Sequence, residues 1–403
     1  MNDENVSANS PNSSNAPILS LILCARNDQY QGNSTWRLET ALNYVAQNAV
    51  ELGRPEAVEI VVADWGSKEP LRDVVKLSPA AVKMVSFVHI PPETAKAEQK
   101  DSPFAEVMAI NAAARRARGE YIGRIDQDTL VGKHFLKQLF WLHEKRRLLV
   151  PLDKAVLLSN RRRIPYRFAV FCPSFWVVDR YMRWFKRFMP LMEPRPPHRY
   201  YQSYIGILLF HRDLWAACGG YDQRFIYMDY MEFDIVLRLT KEFTFVNLGE
   251  LVDHDFYHLD HGNPLEPWSA NRNRKTNPVR SLDNLPEEIN PTGDEWGLPQ
   301  YPLEVQPARA ASAEQFTLKP AWLTFFLLVF ISSLRIAGDG LIIGSRKLKP
   351  LFLRIWWMFL APSTWKNRTE NVRARVNGQP LISWPRLLIT RRSKEPIQRS
   401  EQA

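Results

Sequence analysis

Two aspartates separated by one residue, Asp126 and Asp128, stand at the end of the apolar segment EYIGRID, residues 120–126. Residues i and i+2 of a strand share a face, so both carboxylates can project into one cleft where the strand ends. Two carboxylates that close repel each other unless a cation lies beside them. Hard cations such as Mg²⁺ bind carboxylates together with substrate phosphates, so the pair predicts a metal and phosphate site. An exposed polar turn is the alternative.

The segments around this pair alternate between strand and helix patterns. Apolar residues at helical spacing predict helices at 35–52 and 104–119, and short apolar runs predict four strands, at 18–25, 58–67, 82–92 and 120–126. This alternation predicts an α/β fold with a mixed, mostly parallel sheet flanked by helices. In such sheets ligands bind beyond the carboxyl ends of the strands. The polar residues expected along that edge are Arg26, Asn27, Asp64, Asp126 and Asp128.

The second half of the chain has a weaker pattern. Basic and aromatic residues at 160–205 show no clear period, which predicts long loops. Residues 205–222 predict a strand, a short helix and a turn at Gly219 and Gly220, where glycine permits a positive φ and close approach of the backbone. A helix is expected at 230–243, followed at 244–262 by a strand and a histidine-rich loop.

The quoted segments resemble those of family-2 glycosyltransferases. The run NAAARRARGEYIGRIDQDT is similar to the helix, strand and Asp-x-Asp of that family, and VEIVVADWGS is similar to its second strand, with Trp65 in place of a second aspartate. LSLILCARND resembles the opening strand and its loop, and GILLFHRDLWAACGGYDQRF resembles the later Gly-Gly stretch. The resemblance extends over residues 18–262.

This resemblance implies a GT-A fold and metal-dependent, inverting transfer of a sugar, of the hexosyltransferase type, from a nucleotide-diphosphate donor, expected to be UDP-linked. By position, Asp64 would contact the nucleotide, Asp126 would lie near the ribose and the metal, and Asp128 would bind Mn²⁺ or Mg²⁺. Arg26 and Asn27 would flank the nucleotide; ordinary polar residues at strand ends are the alternative for these two and for Asp64. Gly219 and Gly220, which precede a possible acceptor-side loop, would line the nucleotide-sugar site or form a plain turn.

The catalytic base is expected on the segment Met231-Glu232-Phe233-Asp234. Aligned on Arg238, Glu232 occupies the position of the family's base, although Met231 replaces an acidic residue. Asp229 and Asp234 are the rival candidates. Asp234 and Arg238 are four residues apart on one helix, so a structural ion pair explains them equally well.

Three histidines, His254, His258 and His261, follow within eight residues. Imidazole is a ligand for borderline metals such as Mn²⁺, and the resemblance implies that one histidine after the acidic helix completes the metal site. We expect this ligand to be His258, with His261 and His254 as alternatives. A polar loop without a ligand is the remaining interpretation.

The ends of the chain differ from its middle. Residues 1–17 are polar and predict a disordered tail, and the prolines of 263–318 predict a linker or wrapping segment. Residues 335–403 carry 14 lysines and arginines against 4 acidic residues, which accounts for the whole net charge of +10. The neutral remainder argues against nucleic-acid binding. Three separate cysteines predict buried thiols in a reducing compartment.

The apolar run at 320–334 has 15 residues, fewer than the roughly 20 that span a bilayer. With the tryptophans and basic residues of 350–365, it predicts a membrane-associating region at 319–403. A buried helical hairpin and a true span are the alternatives. The expected setting is the cytoplasmic face of a bacterial membrane, with a saccharide or glycolipid acceptor in surface polysaccharide or glycolipid synthesis.

Two other functions fit parts of the sequence. A non-catalytic, membrane-associated scaffold would explain Trp65 and Met231, which depart from the family pattern. A phosphatase of the haloacid dehalogenase type also ends a strand in Asp-x-Asp, although DQDTL lacks the usual glycine and does not follow the first strand. Nucleotide-sugar binding without turnover would indicate the scaffold, and release of phosphate from a sugar phosphate would indicate the phosphatase.

Overall fold

The strand and helix pattern can be compared with a computed structural model of the chain, which describes residues 16–28, 32–145, 152–164, 171–188, 205–227, 231–239, 242–247, 255–259 and 288–334. The strands are Leu19–Ala25 (β1), Val58–Trp65 (β2), Val85–Ile90 (β3), Tyr121–Arg124 (β4), Thr129–Val131 (β5), Ala155–Asn160 (β6), Arg162–Ile164 (β7), Ile205–His211 (β8), Thr244–Asn247 (β9), Phe256–Leu259 (β10) and Val305–Pro307 (β11). The α-helices are Ser34–Glu51 (α1), Leu71–Val74 (α2), Pro79–Met84 (α3), Pro92–Gln99 (α4), Glu106–Arg116 (α5), Lys133–Lys145 (α6), Phe175–Phe188 (α7), Arg212–Ala217 (α8), Met231–Leu239 (α9), Ala311–Gln315 (α10) and residues 322–334 (α11).

The main sheet of the described residues has the strand order β11-β3-β2-β1-β4-β8-β6-β9. Strands β3, β2, β1 and β4 run parallel to one another, and β6 runs parallel to β9. Strand β8 is antiparallel to both of its neighbours, and β11 is antiparallel to β3. The predicted α/β fold with a mixed, mostly parallel sheet flanked by helices is therefore confirmed.

Alternate residues of the central strands enter two different apolar layers. Leu19, Leu21 and Leu23 of β1 pack on the side that is covered by α1, α3 and α6. Ile22 belongs to the opposite layer, which is covered by α5. Because β1 lies between two parallel neighbours and both of its faces are covered, its sequence is apolar except for Ser20, whose buried hydroxyl donates to Glu59.

A second, three-stranded sheet has the order β5-β10-β7. Strand β10 runs antiparallel to β5, with His258 opposite Thr129, and parallel to β7. Helix α7 covers one face of this small sheet through Val177, Val178 and Tyr181. Since β5 follows the Asp-x-Asp pair and β7 follows Arg161, the small sheet positions both segments.

Two predictions about local structure are wrong. The segment 160–205, predicted to form long loops, contains β7 and the 14-residue helix α7. Basic residues such as Arg180 and Arg183 obscured the helical period, which the buried positions Val177, Tyr181 and Phe185 follow. His258 lies in strand β10 rather than in a loop, because pairing with β5 extends that segment.

The described part of the proline-rich segment, residues 288–318, lies against the α/β core. Strand β11 pairs with β3 at the edge of the main sheet, and Trp296 is buried against the layer that contains α5. Arg115 and Arg116 at the end of α5 donate hydrogen bonds to the carbonyl oxygens of Trp296 and Gly297, each at 2.9 Å. The segment is therefore held both by its backbone carbonyl groups and by the buried side chain of Trp296.

Several predicted features lie outside the described residues. They are most of the tail at 1–17, Asp229, His254, His261 and the region 335–403. Among the residues that are described, no helix combines the length and hydropathy needed to cross a bilayer.

All three cysteines are free thiols, and Cys218 is buried while Cys24 and Cys172 are partly exposed.

Candidate functional site

The two aspartates of the Asp-x-Asp motif face the same guanidinium group. Arg161, between β6 and β7, makes a short ion pair through its Nη1 with Asp126 Oδ2, and the same nitrogen lies 3.7 Å from Asp128 Oδ1. The side chain of Asp126 is 26% exposed and that of Asp128 only 4%. One carboxylate of the pair is therefore open to solvent, while the other is held inside.

Asp128 is held by two further groups. Its Oδ2 accepts a hydrogen bond of 2.9 Å from Nη1 of Arg37, a fully buried residue of α1. His258 Nε2 lies 3.2 Å from Asp128 Oδ1. The pairing of β10 with β5 produces this contact, because it sets His258 opposite Thr129, the residue after Asp128.

A second guanidinium group, Arg124 at the end of β4, is shared by three carboxylates. Its Nη2 lies 2.7 Å from Asp126 Oδ1, 2.7 Å from Glu106 Oε1 and 3.5 Å from Glu232 Oε1. Arg124 and Arg161 therefore face Asp126 from two sides, and Glu232, the expected base, reaches the same cluster. Ion pairing of this kind fixes the orientation of each side chain without requiring a ligand.

Burial and the neighbouring guanidinium groups shift the pKa values of the carboxyl groups in this cluster in opposite directions. Burial alone would raise the pKa of Asp126, but Arg124 and Arg161 lower it, and the net shift is downward. Burial raises the pKa of Glu106 to about 7, against the opposing effect of Arg124. Burial also raises the pKa of Glu232, with Arg124 again opposing. Asp126 thus stays ionised near neutral pH, whereas Glu106 exchanges its proton in that range.

The predicted metal ligands converge, but their arrangement does not form a metal site. Asp128 Oδ1 and His258 Nε2, 3.2 Å apart, have about the separation of adjacent ligands on an octahedral ion with bonds near 2.1 Å. The Arg161 guanidinium, however, contacts both Asp126 and Asp128. Within the described ranges, no three His, Cys, Asp or Glu side chains are grouped to hold a metal. A divalent cation could bind between Asp126 and Asp128 only after the guanidinium of Arg161 had moved away from Asp126.

The residues predicted to flank the nucleotide form a second group, at the ends of β1 and β2. Asp64 is fully buried; Leu71 N donates to its Oδ2 at 2.8 Å, and Ser67 Oγ donates to its Oδ1. Ser67 Oγ also accepts from the backbone N–H of Asn27 at 2.8 Å, which joins the two loops. The guanidinium of Arg26 stacks over Phe104, 5.3 Å from the ring centre. Burial raises the pKa of Asp64.

The Gly-Gly turn and Asp234 serve the packing of α9. Gly219 and Gly220 have φ of +64° and +63°, and a Cβ on Gly220 would collide with the side chain of Asn111. Arg238 donates to the carbonyl oxygen of Gly220 at 2.8 Å and, through Nε, to Asp234 Oδ2 at 2.8 Å. Both charged side chains are buried. The arrangement therefore explains Asp234 as the partner of Arg238.

Sequence reasoning missed four residues of the cluster: Arg37, Glu106, Arg124 and Arg161. Arg37 had a signal, since it shares with Ala41 and Tyr44 the face of α1 that enters the core. Arg124 had one too, since it lies two residues before Asp126 on the face of β4 that Ile122 shares. Glu106 and Arg161 had none, because only the folded chain brings them to Asp126.

Comparison with known proteins gives a distant similarity. No protein-family model and no curated protein matches the chain. Residues 1–349 of Staphylococcus aureus TarS are 14% identical over 56% of this chain and 55% of that chain, with a TM-score of 0.34. The mannosyltransferase PcManGT from Pyrobaculum calidifontis, in complex with GDP-Man and Mn²⁺, is 14% identical over 59% and 56%, with a TM-score of 0.33.

The catalytic domain of Drosophila beta1,4-galactosyltransferase 7 is 12% identical over 66% of this chain and 83% of that chain, with a TM-score of 0.33. The aligned part of TarS is about half of that chain. TM-scores at this level do not assign a function, so any functional proposal has to rest on the residues of the chain itself.

The first prediction concerns Asp234. Asp234→Ala leaves the buried Arg238 without its ion-pair partner, and the free energy of unfolding should fall by about 3–5 kcal/mol. Asp179→Ala is the matched control, because Asp179 and Arg183 are also four residues apart on a helix but partly exposed; we expect a loss of at most about 1 kcal/mol. Urea unfolding measures both. A stable Asp234→Ala protein that lost activity would assign Asp234 to catalysis.

The second prediction concerns Glu106. Its pKa is raised from an ordinary 4.5 to about 7, so the folded protein keeps a proton that the unfolded chain releases. Between these values the unfolding free energy therefore falls as pH rises, by up to about 3 kcal/mol. Glu106→Gln removes this dependence, so the stability of the variant relative to wild type should rise from pH 5 to pH 7.5. Glu93→Gln, on the exposed side of α4, is the control. A difference independent of pH would contradict the assignment.

The third prediction concerns Arg161. If its guanidinium occupies the place of a cation, Arg161→Gln should bind Mn²⁺ about tenfold more tightly than wild type, because a unit positive charge is removed from the acidic pair. Electron paramagnetic resonance of free Mn²⁺, without any nucleotide, measures this affinity. Arg54→Gln is the control, since Arg54 pairs with Glu144 at a distant surface. Equal Mn²⁺ affinity in wild type and Arg161→Gln would show that Arg161 does not compete with a metal.

Proposed function

We propose that this protein is a glycosyltransferase of the GT-A type that moves a sugar, expected to be a hexose, from a nucleotide-diphosphate donor to a hydroxyl acceptor. UDP is the nucleotide that we expect in the donor. The observation that carries the proposal is the meeting of Glu232, Arg124, Asp126 and Arg161 in one partly exposed cluster. It combines a carboxylate that can act as a base with cationic groups that can face a diphosphate.

The chemistry of an inverting transfer needs these two elements. The acceptor hydroxyl attacks the anomeric carbon while its proton passes to a base, and the bond from that carbon to the diphosphate oxygen breaks. Glu232 is the proposed base; its raised pKa makes it a stronger acceptor of the proton than an ordinary glutamate. Arg124 and Arg161 supply positive charge where negative charge develops on the leaving diphosphate.

The nucleotide half of the donor is assigned to the loops after β1 and β2. Arg26, already stacked on Phe104, offers a planar cation near a nucleotide base or phosphate. Asn27 and Asp64 are joined through Ser67, so Asp64 is proposed to shape the nucleotide site through the loop. Gly219 and Gly220 are proposed to keep α9, and with it Glu232, at a fixed distance from β4.

Use of Mn²⁺ or Mg²⁺ stays a prediction of the Asp-x-Asp motif. Asp126, Asp128 and His258 are the described residues proposed as ligands, and His261 stays a further candidate. Since Arg161 contacts both aspartates, the cation and this guanidinium exclude each other at Asp126. The donor, with its own negative charge, is the natural partner for an Arg161 displaced from Asp126.

The acceptor and the location are proposed from the sequence. A saccharide or glycolipid acceptor at the cytoplasmic face of a bacterial membrane fits the basic, tryptophan-containing region 319–403. Synthesis of a surface polysaccharide or glycolipid is the corresponding role.

The fourth prediction tests the transfer. Wild-type protein should release nucleoside diphosphate from one sugar of a panel of UDP- and GDP-linked donors, with added Mn²⁺ or Mg²⁺ and a soluble saccharide acceptor. Glu232→Gln should lower the transfer rate by about a hundredfold or more while donor binding, measured by calorimetry, persists. Glu242→Gln, an exposed glutamate a short distance along the chain, is the control and should keep the rate of wild type.

Three outcomes would contradict the proposal. Unchanged transfer by Glu232→Gln would place the base elsewhere, with Asp229 the next residue to test. Donor binding without turnover by wild type across the panel would indicate the scaffold. Release of inorganic phosphate from sugar phosphates, abolished by Asp126→Asn, would indicate the phosphatase.

A further inference from the structure

Helix α11, residues 322–334, is apolar on both of its faces. Its inward residues are Phe325, Leu328, Val329 and Ser332, which pack on α7 and the small sheet. Its outward residues are Trp322, Leu323, Phe326, Leu327, Phe330 and Leu334, which are between 45% and 84% exposed. We name this second set the outward stripe. A helix that is apolar all round is ordinarily buried on all sides or in contact with lipid.

The inward face is well fixed, so the outward stripe has a defined direction. Tyr181 Oη and Ser332 Oγ are 2.8 Å apart and buried, and Leu328 is only 3% exposed. Trp322, at the start of the outward stripe, is half exposed, and the rest of its ring meets that of Trp176 edge to face, with centres 4.7 Å apart. Helix α11 therefore cannot turn its outward stripe toward the core without breaking these contacts.

Charges near the stripe indicate what it faces. Residues 320–334 contain no charged side chain, and Lys319 and Arg335 bracket them. The guanidinium of the exposed Arg180 lies 5.5 Å from the ring centre of Trp176, beside the start of the stripe. All of the chain's positive excess follows in residues 335–403. An apolar surface with basic residues at its edge is complementary to a bilayer with anionic headgroups.

We propose that the outward stripe of α11 docks in the plane of an anionic lipid bilayer, with the basic residues beside it on the headgroups. A second copy of this chain is a poorer partner, because it would bring its own Lys319 and Arg180 against the same two residues. A cover formed by residues 335–403 would place their lysines and arginines against a stripe that has no acidic side chain. The lipid satisfies both the apolar and the cationic parts of the surface.

The docking surface is connected to the proposed active site through one strand. Tyr257 and Leu259 of β10 pack into the layer formed by α7 and α11, whereas His258, between them, faces Asp128. Docking would therefore set the site beside the membrane, where a lipid-linked acceptor is presented. This last consequence rests on the proposed transferase function, whereas lipid binding itself does not require turnover.

The fifth prediction tests the docking on the full chain, without donor or acceptor. Flotation with vesicles of phosphatidylcholine and phosphatidylglycerol should recover wild-type protein, and pure phosphatidylcholine vesicles should recover less. The triple variant Leu323→Ser, Phe326→Ser, Phe330→Ser should reduce the partition coefficient on anionic vesicles by at least about tenfold. The control is Val50→Ser, Trp141→Ser, Val305→Ser, which changes exposed apolar residues on other elements.

Each other outcome overturns the proposal. Wild-type protein that stays with the buffer, or a stripe variant that floats like wild type, would show that the stripe does not bind lipid. A wild-type dimer that the stripe variant converts to a monomer, measured by light scattering, would assign the stripe to a second copy. A thermal unfolding midpoint well below that of wild type would show that the chain itself covers the stripe. Transfer to a soluble saccharide, measured without vesicles, reports the proposed chemistry separately.

Discussion

The carboxylates at the end of β4 depend on two guanidinium groups for their compatibility. Asp126, Glu106 and Glu232 approach one another around Arg124, and Arg161 faces Asp126 from the other side. Without these cations, partly buried carboxylates at such distances would have to bind protons or move apart. The sheet topology is what supplies the cations, because Arg124 ends β4 and Arg161 lies between β6 and β7. The carboxylates can therefore come together only when the main sheet and the small sheet have both formed.

The acidic residues also differ in how closely each is paired with an arginine. Asp234 is satisfied by Arg238, and Asp128 by Arg37, in pairs that are almost fully buried. Glu232 has only a 3.5 Å contact with Arg124, which it shares with two nearer carboxylates. Burial keeps a carboxylate basic, and a nearby cation opposes this effect. Burial raises the pKa of both Glu106 and Glu232, but Glu106 lies closer to Arg124. The weaker contact of Glu232 with Arg124 is the reason for proposing Glu232 as the base.

The sequence predicted the elements whose signals are local. Strands β1, β2 and β4 come from mostly apolar runs, and α1 and α5 have clear helical spacing, so the sequence alone predicts their class and order. Helix α7 escaped because arginines and lysines interrupt its apolar period. Glu106 and Arg161 reach Asp126 only through long-range packing, and no spacing along the chain encodes that contact. Ion pairs between residues on different elements are therefore what composition and periodicity fail to predict.

The small sheet lies between the charge cluster around Asp126 and Asp128 and helix α11, which carries the outward stripe. One face of β10 carries His258 toward the acidic pair, and the other carries Tyr257 toward α7. Alternation along a strand makes this division unavoidable, since successive side chains point to opposite faces. A change in how α7 and α11 pack, on contact with lipid, would therefore act on β10 and through it on His258 and Asp128. Helix α11 and the charge cluster lie on opposite sides of a single strand, which gives a direct physical route between the proposed docking surface and the proposed active site.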